Sequence, residues 1–364
     1  MDGDFMDAPP YEHLKKDAER NLEVGRFLSA AREFQVLSLM AEKDGAFELA
    51  GEFAAKSGDC WLKSGNHATA AAIYEQAAKY FNLSGKASYE KTCLRKAFTE
   101  FLLASRTSEI SVLDRASFLF RAAKCSSSLG DQDTAKRLLL KACDLSLSSA
   151  ASSFSNNEYD SAVTHYLFAI KCCTELGDKE KERQVHSLVR ESLIRLINSL
   201  TVTSSREQFA STQSLIKNWF ATLTSNNDSK EHLEQASKLV SECIDAAFKI
   251  KNPNIVQMVL NVLLCSDPTL ALDILKRPPI TISLVSLISS LSAKNQDNFL
   301  LSSLLQLLFK ELSGTFLINY LPDAVLQHLK KSLKTLLLNQ TPEELKLKLS
   351  HLSSNLVSDA EEDN

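Results

Sequence analysis

Glycine and proline are scarce, ten and eight in 364 residues. An all-β or α/β chain of this length needs more of both to make its turns, so the scarcity favours an all-helical fold. No sign of charge dominates: 41 Lys and Arg stand against 45 Asp and Glu, for a net charge of −4. Such a chain has no overall field to draw in nucleic acid. With no arginine cluster and an isoelectric point near 6.0, nucleic acid is not expected as a partner. Long apolar runs are missing too. Ile280–Leu291 and Phe299–Phe309 are interrupted by serines and fall short of the roughly 20 residues a bilayer demands. The small basic patch Lys330, Lys331 and Lys334 reads as a solvated helix face, so no stable membrane insertion is expected. The start, MDGDFMDAPP, is acidic and lacks the apolar core of a secretory signal.

The chemistry-bearing patterns are absent as well. No phosphate-binding glycine loop, dinucleotide fingerprint, HExxH or GxSxG occurs. The eight cysteines (Cys60, Cys93, Cys125, Cys143, Cys172, Cys173, Cys243 and Cys265) form no CxxC pair and no Cys–His zinc spacing. They read as buried thiols of a reducing compartment, which places the chain in the cytoplasm. In the vicinal pair, Cys172 and Cys173, one thiol is expected in the core and the other on the flank. The seven histidines (His13, His67, His165, His186, His232, His328 and His351) are scattered; none shares a short helical spacing with a second ligand. No catalytic, cofactor-binding or metal residue is assigned, no cofactor is expected, and the chain reads as a non-enzyme.

What the sequence has is alanine at a recurring spacing. In GNHATAAAIYEQA, Gly65 is followed after five residues by Ala70, then by Tyr74 and Ala77, and is preceded at seven by Gly58. Gly130 repeats this with Ala123, Ala135, Leu139 and Ala142. Asn157 does so with Ala150, Ala162, Tyr166 and Ala169, and Gly25 with Ala18, Ala30, Phe34 and Leu37. A left-handed Gly or Asn ends one helix. Small residues before and after it let two helix axes come to the near end of the usual 8–10 Å. Each segment therefore reads as an αα-hairpin. A fifth, degenerate unit is expected around Gly85–Ala97, where Leu94 and Ala97 keep the phase.

The pattern resembles the tetratricopeptide repeat, with Phe27 and Tyr159 two residues after their turns and Trp61 three after Gly58, where the repeat usually has Tyr. It departs from that family in lacking the closing proline and in turn spacings of 40, 65 and 27 residues. Those departures are similar to the variant found in the soluble NSF attachment proteins and in the huntingtin-associated protein family. Phe47–Cys60 followed by Ala68–Phe81, and Tyr159–Cys172 followed by Leu188–Leu200, resemble the latter. The chain ends in Asp359, Glu361, Glu362 and Asp363 without the leucine of the attachment proteins. It also shows no Phe- and Gly-rich membrane loop over 15–30, and it lacks the proline-rich insert of vertebrate huntingtin-associated relatives.

The expected architecture is all-α: a TPR-like, SNAP-like helical solenoid of αα-hairpins over 11–200 and a non-repeat helical region over 201–357. Flexible acidic ends lie at 1–10 and 358–364. After Leu200 the sequence predicts helices at 207–223, 231–250, 253–265, 268–277, 280–292, 294–312, 318–338 and 342–357. The expected function is a non-enzymatic adaptor or scaffold. The huntingtin-associated resemblance implies a large HEAT-repeat partner of the huntingtin kind, a Rab GTPase of early endosomes, a role in vesicle traffic, and endosomal and nuclear pools. The attachment-protein resemblance implies instead SNARE complexes and a AAA ATPase. A self-assembling scaffold is the third reading. Contact residues on a solenoid are free to vary, so the sequence marks no partner-binding residue.

Overall fold

The structure, a computed structural model, describes residues 11–200, 204–224 and 229–250, with Ile255, Met258, Val259, Val262 and Ile274. The acidic ends, the helices expected from 280 onward and the Lys330–Lys334 patch lie outside the described residues. Among the described residues there are eleven α-helices. They are α1 (Tyr11–Glu23), α2 (Phe27–Lys43), α3 (Phe47–Lys63), α4 (His67–Leu83), α5 (Ala87–Ala104), α6 (Val112–Ser128), α7 (Gln132–Ser155), α8 (Tyr159–Leu176), α9 (Lys179–Ser199), α10 (Arg206–Thr224) and α11 (Ser229–Ile250). The fold is all-α, and from α1 to α6 each helix packs on the next as a series of αα-hairpins. The described chain forms two compact units: 11–152 with 168–183, and 153–167 with 184–250.

One turn is used again and again. At Gly65 the backbone takes φ 80°, a region a side chain resists and glycine enters freely. Its N–H donates to the Leu62 carbonyl at 2.9 Å, and the N–H of Asn66 to Trp61 at 3.0 Å, the paired bonds of a Schellman motif. Asn66 then serves as the N-cap of α4. Its carbonyl accepts from Ala70 N at 3.0 Å, and its side chain accepts from Thr69 N at 3.1 Å. The same backbone bonds recur at Gly25, Gly45, Gly85, Gly130, Gly177 and, with φ 63°, at Asn157. The alanine five residues past the turn is thus the residue whose amide makes the first helical bond. That gives the spacing Gly65–Ala70, and likewise Gly25–Ala30, Gly130–Ala135 and Asn157–Ala162, its physical meaning.

Gly45 and Gly177 are turns that the spacing pattern passes over. Gly45 places a turn midway between Gly25 and Gly65. The first four turns, Gly25, Gly45, Gly65 and Gly85, therefore stand twenty residues apart. The interval of 40 read from the sequence is two helices and two turns. Each of α2, α3 and α4 has 17 residues, about 25 Å of helix at 1.5 Å per residue. The degenerate unit expected at Gly85 is α5.

In the first unit the small residues let helices touch. A Cβ added to Gly58 would lie 2.7 Å from Tyr74 Cε1, and one on Gly51 2.9 Å from Phe81 Cε1. Gly58 thus faces the ring of Tyr74. Two serines fill equivalent seams and bond across them: Ser38 Oγ donates to the Ala50 carbonyl at 2.8 Å and Ser57 Oγ to Ala31 at 2.7 Å. Phe34, Leu37, Tyr74, Ala77 and Phe101 are fully buried between these helices. The alanine-rich α4 is buried or half-buried except at Lys79, Asn82 and Leu83.

In the second unit the core is larger-grained. Trp219, Phe220, Ile216, Leu193, Ile197, Leu239 and Ile244 are fully buried. The Trp219 indole N–H donates to His186 Nδ1 at 3.1 Å. α10 starts on a capping box, in which Ser205 Oγ accepts from Gln208 N and Gln208 Oε1 accepts from Ser205 N, at 3.3 and 2.9 Å. The helices expected at 207–223 and 231–250 are α10 and α11. Within the expected helix 253–265, Ile255, Met258, Val259 and Val262 are helical and buried, at the spacing of one apolar helix face.

Two outcomes follow from this packing. Gly58→Ala should lower stability by about 1–3 kcal/mol, because Tyr74 is buried and tethered and cannot make room. Gly51→Ala should cost less, since its nearest contact, 2.9 Å to Phe81 Cε1, is less close and the phenylalanine ring has no hydroxyl to tether it. Denaturant melts of the two variants beside the parent check the order. The second outcome concerns pH. Burial holds the His165 imidazole below its ordinary pKa, so the unfolded chain binds this proton first. Stability should therefore fall as pH drops below about 6.5. Thermal melts between neutral and mildly acid pH should show a shallower fall for His165→Gln.

Candidate interaction surface

The exposed faces of the first unit carry a ladder of charge. Lys56 on α3 stands 5.4 Å above the Phe34 ring and 3.5 Å from Glu19 on α1. Forty residues later the same set returns. Lys96 on α5 lies 4.9 Å above the Tyr74 ring and 2.6 Å from Asp59 on α3, and Tyr74 OH donates to the same Asp59 oxygen at 2.5 Å. Burial first, then this bond, raise the Tyr74 phenol above its ordinary pKa. The odd helices are thus linked at their surface, α1 to α3 to α5. The even helices carry a second set. Arg121 on α6 reaches Glu75 on α4 and covers the Phe101 ring at 4.3 Å, and Lys124 pairs with Glu175 on α8 at 2.7 Å. The Lys56, Lys96 and Lys124 pairs are well exposed. Exposed pairs contribute about 0.2–1 kcal/mol and exposed cation–π contacts about 0.5–1 kcal/mol. The ladder tunes the register of helices that apolar burial already holds.

Two areas of the first unit are apolar instead. On α2, Leu28, Val36 and Leu39 are each about half exposed, at 50, 47 and 49%. At about 100° per residue they fall with exposed Arg32 and Lys43 in an arc of about 80°. The opposite face of α2 (Ala30, Ala31, Phe34, Leu37, Ser38 and Ala41) is buried. The second area is a shallow, open cleft of about 550 Å³ at the turn edge, lined by Ala46, Phe47, Glu48, Leu49, Glu52 and Ser84. Exposed Leu83 and Tyr89 flank the neighbouring turn. Lys86 pairs with Glu48 at 2.8 Å, and Tyr89 stacks on Phe81 with centroids 5.2 Å apart. The sequence pattern assigned neither area. The signal for the first was the apolar spacing 28, 36, 39, which lies off the Ala30–Phe34–Leu37 face.

The histidines take separate places. His13 is exposed. His67 Nδ1 lies 2.6 Å from Glu100 Oε2, which lets α4 and α5 share a polar contact at the core edge. His186 is buried against Trp219. His328 and His351 lie outside the described residues, as does the side chain of His232. Among the described residues no group of three or more His, Cys, Asp or Glu side chains is placed to hold a metal ion. No described helix is long and apolar enough to cross a membrane. Cys60, Cys93, Cys125, Cys143, Cys172, Cys173 and Cys243 are all buried free thiols. Cys172 and Cys173 are both fully buried, so the expectation of one thiol on the flank is corrected: α8 is covered over a broad arc at this level.

No protein-family model matches the chain, and no curated protein is a significant match. Solved structures do match. A circular tandem repeat protein with novel repeat topology and enhanced subunit contact surfaces is 16% identical, with 96% of this chain and 88% of that one covered and a TM-score of 0.24. A monomeric mutant of IFIT1 with Gppp-AAAA is 10% identical, with coverage of 96% and 73% and a TM-score of 0.19. The TPR domain of P58(IPK) is 14% identical, with coverage of 96% and 99% and a TM-score of 0.17. At these scores the likeness says nothing about function.

Proposed function

We propose that the chain is a non-enzymatic adaptor or scaffold that binds a large protein partner through its helical repeats. The observation that carries this reading is the outer face of α2, where Leu28, Val36 and Leu39 are half exposed beside Arg32 and Lys43. Single exposed apolar residues are ordinary. Three in one narrow arc, interleaved with two cations, suit an amphipathic partner surface that carries acids. Within this reading the repeat part is 11–200 and the helical part 201–357, as the sequence divides them.

The resemblance to the huntingtin-associated family narrows the partner to a large HEAT-repeat protein of the huntingtin kind. It adds an early-endosome Rab GTPase and a cytoplasmic, endosome-linked role in vesicle traffic. What supports this choice is the pair of stretches Phe47–Cys60 and Ala68–Phe81, which fall within α3 and α4, and the length of chain that follows the repeats.

The test is capture from a lysate of the source cells, with the full chain and a Leu28→Asp/Val36→Asp/Leu39→Asp variant as baits. The expected result is one very large HEAT-repeat protein in near-equal amount on the parent chain. The variant should keep its helical circular dichroism and capture less by about tenfold or more. An ATPase with SNARE proteins would replace this reading with the attachment-protein one, and a bait that binds only itself would leave a self-assembling scaffold.

A further inference from the structure

Within the first unit, Cys143 of α7 and Cys173 of α8 meet with their sulfur atoms 3.7 Å apart. Both side chains are fully buried. Cys143 Sγ also lies 3.9 Å from the Ala169 carbonyl, so the thiol is held against α8 by two contacts. Beside the pair runs Lys181, whose ammonium is 3.1 Å from Asp144 Oδ1 and whose side chain is 28% exposed. Sulfur atoms at this contact must close by roughly 1.7 Å to reach the roughly 2.05 Å of a disulfide.

We propose that Cys143 and Cys173 are a reversible intrachain disulfide site, closed by hydrogen peroxide and opened by thiol reductants, that ties α7 to α8. The Cys143 thiolate attacks one peroxide oxygen. The O–O bond breaks, and the departing hydroxide takes up the proton that the thiol lost and leaves as water. The Cys173 sulfur then attacks the Cys143 sulfenic acid. The S–O bond breaks, the S–S bond forms, and the second hydroxide leaves as water with the Cys173 proton. Two thiols lose two electrons and two protons, and one peroxide becomes two waters.

The contact between the two sulfurs sets this pair apart from the other thiols of the unit. The hydrogen bond from Cys173 draws the Cys143 thiol below its ordinary pKa; burial opposes this, and the Lys181 ammonium adds to it. The other thiols of the unit move the opposite way. Burial pushes Cys93 up to about 11 and Cys125 and Cys172 up to about 12. Nucleophilic attack needs the thiolate, and the sulfur oxidised first, drawn here as Cys143, is resolved by the sulfur already in contact with it. Burial makes the reaction wait on local opening, so it should be slow beside that of an exposed thiol.

The experiment uses the full chain. It is held with hydrogen peroxide near neutral pH, alkylated, digested without reduction and mapped by mass. The expected product joins the Cys143 peptide to the Cys173 peptide, two hydrogens lighter than the pair, and dithiothreitol reverses it. Cys172→Ser should keep the link, while Cys143→Ser and Cys173→Ser should each abolish it with helical circular dichroism unchanged. If either serine variant fails to fold, the map of Cys172→Ser decides alone. Because the link spans 30 residues, the oxidised chain should melt higher than the reduced one. A link through Cys172, over-oxidation of Cys143 without a link, or thiols that stay reduced until the chain unfolds would overturn the proposal.

Discussion

The repeats depend on one turn. A residue in the left-handed region closes a helix with two backbone bonds, and the next residue is already the N-cap of the helix that follows. Gly65 and Asn66 show it most plainly, because the Asn66 side chain adds a third bond to Thr69 N. No residue in this turn is spare. The helix ends, the chain reverses and the new helix begins within three residues, and every amide in the turn that needs a partner finds one nearby. A turn this short leaves helix length as the main variable. Where that length is held at 17 residues, as in α2, α3 and α4, position becomes periodic. The set Glu19, Phe34, Lys56 can then return as Asp59, Tyr74, Lys96. Surface ion pairs of this kind are too weak to impose a register; their recurrence is a consequence of the turns.

Close approach is the second constraint, and it is met by more than one side chain. Glycine at 58 and 51 yields to aromatic rings from α4. Serine at 38 and 57 takes equivalent seams and sends its hydroxyl to a carbonyl of the facing helix. Such a bond satisfies a buried donor that would otherwise cost about 1–3 kcal/mol. At Gly177 the seam is different again. Ile170 stands at the small position, and Glu182 occupies the place of the alanine. Its carboxylate is buried yet accepts from Thr174 Oγ1 at 3.0 Å.

These substitutions explain what the sequence could and could not show. The turns at Gly25, Gly65, Gly130 and Asn157 were legible because a small residue, an alanine, an aromatic or leucine, and an alanine or leucine fill the positions of their pattern in order. Gly45 was not, since Ala54 stands where the aromatic or leucine belongs and Ser57 where the last alanine or leucine does, and Gly177 was not, since Ile170 and Glu182 are not small at all. The all-α class and the helices α10 and α11 were legible from apolar periodicity and from a cap such as Ser205. The contact of Cys143 with Cys173 was invisible: no spacing rule links sulfurs 30 residues apart on separate helices. The face of α2 was hidden for the opposite reason. Positions that no neighbouring helix constrains can hold any residue, so pattern alone does not mark them.

That lack of constraint is also why the α2 face bears on function. In a stack of helices each inner face is covered by its neighbours, and only the outer helices must meet water or another molecule. α4, further along the array, leaves only Lys79, Asn82 and Leu83 well exposed. α2 belongs to the first hairpin of the described array, and its outer arc alternates Leu28, Arg32, Val36, Leu39 and Lys43. The fully buried contacts of α2 run through Phe34, Leu37 and Ala41, and Leu28, Val36 and Leu39 are only half covered by the fold. Covering Leu28, Val36 and Leu39 would remove from water about half of three large side chains, at roughly 25 cal/mol per Å², while Arg32 and Lys43 among them would favour an acid-bearing surface over a basic one.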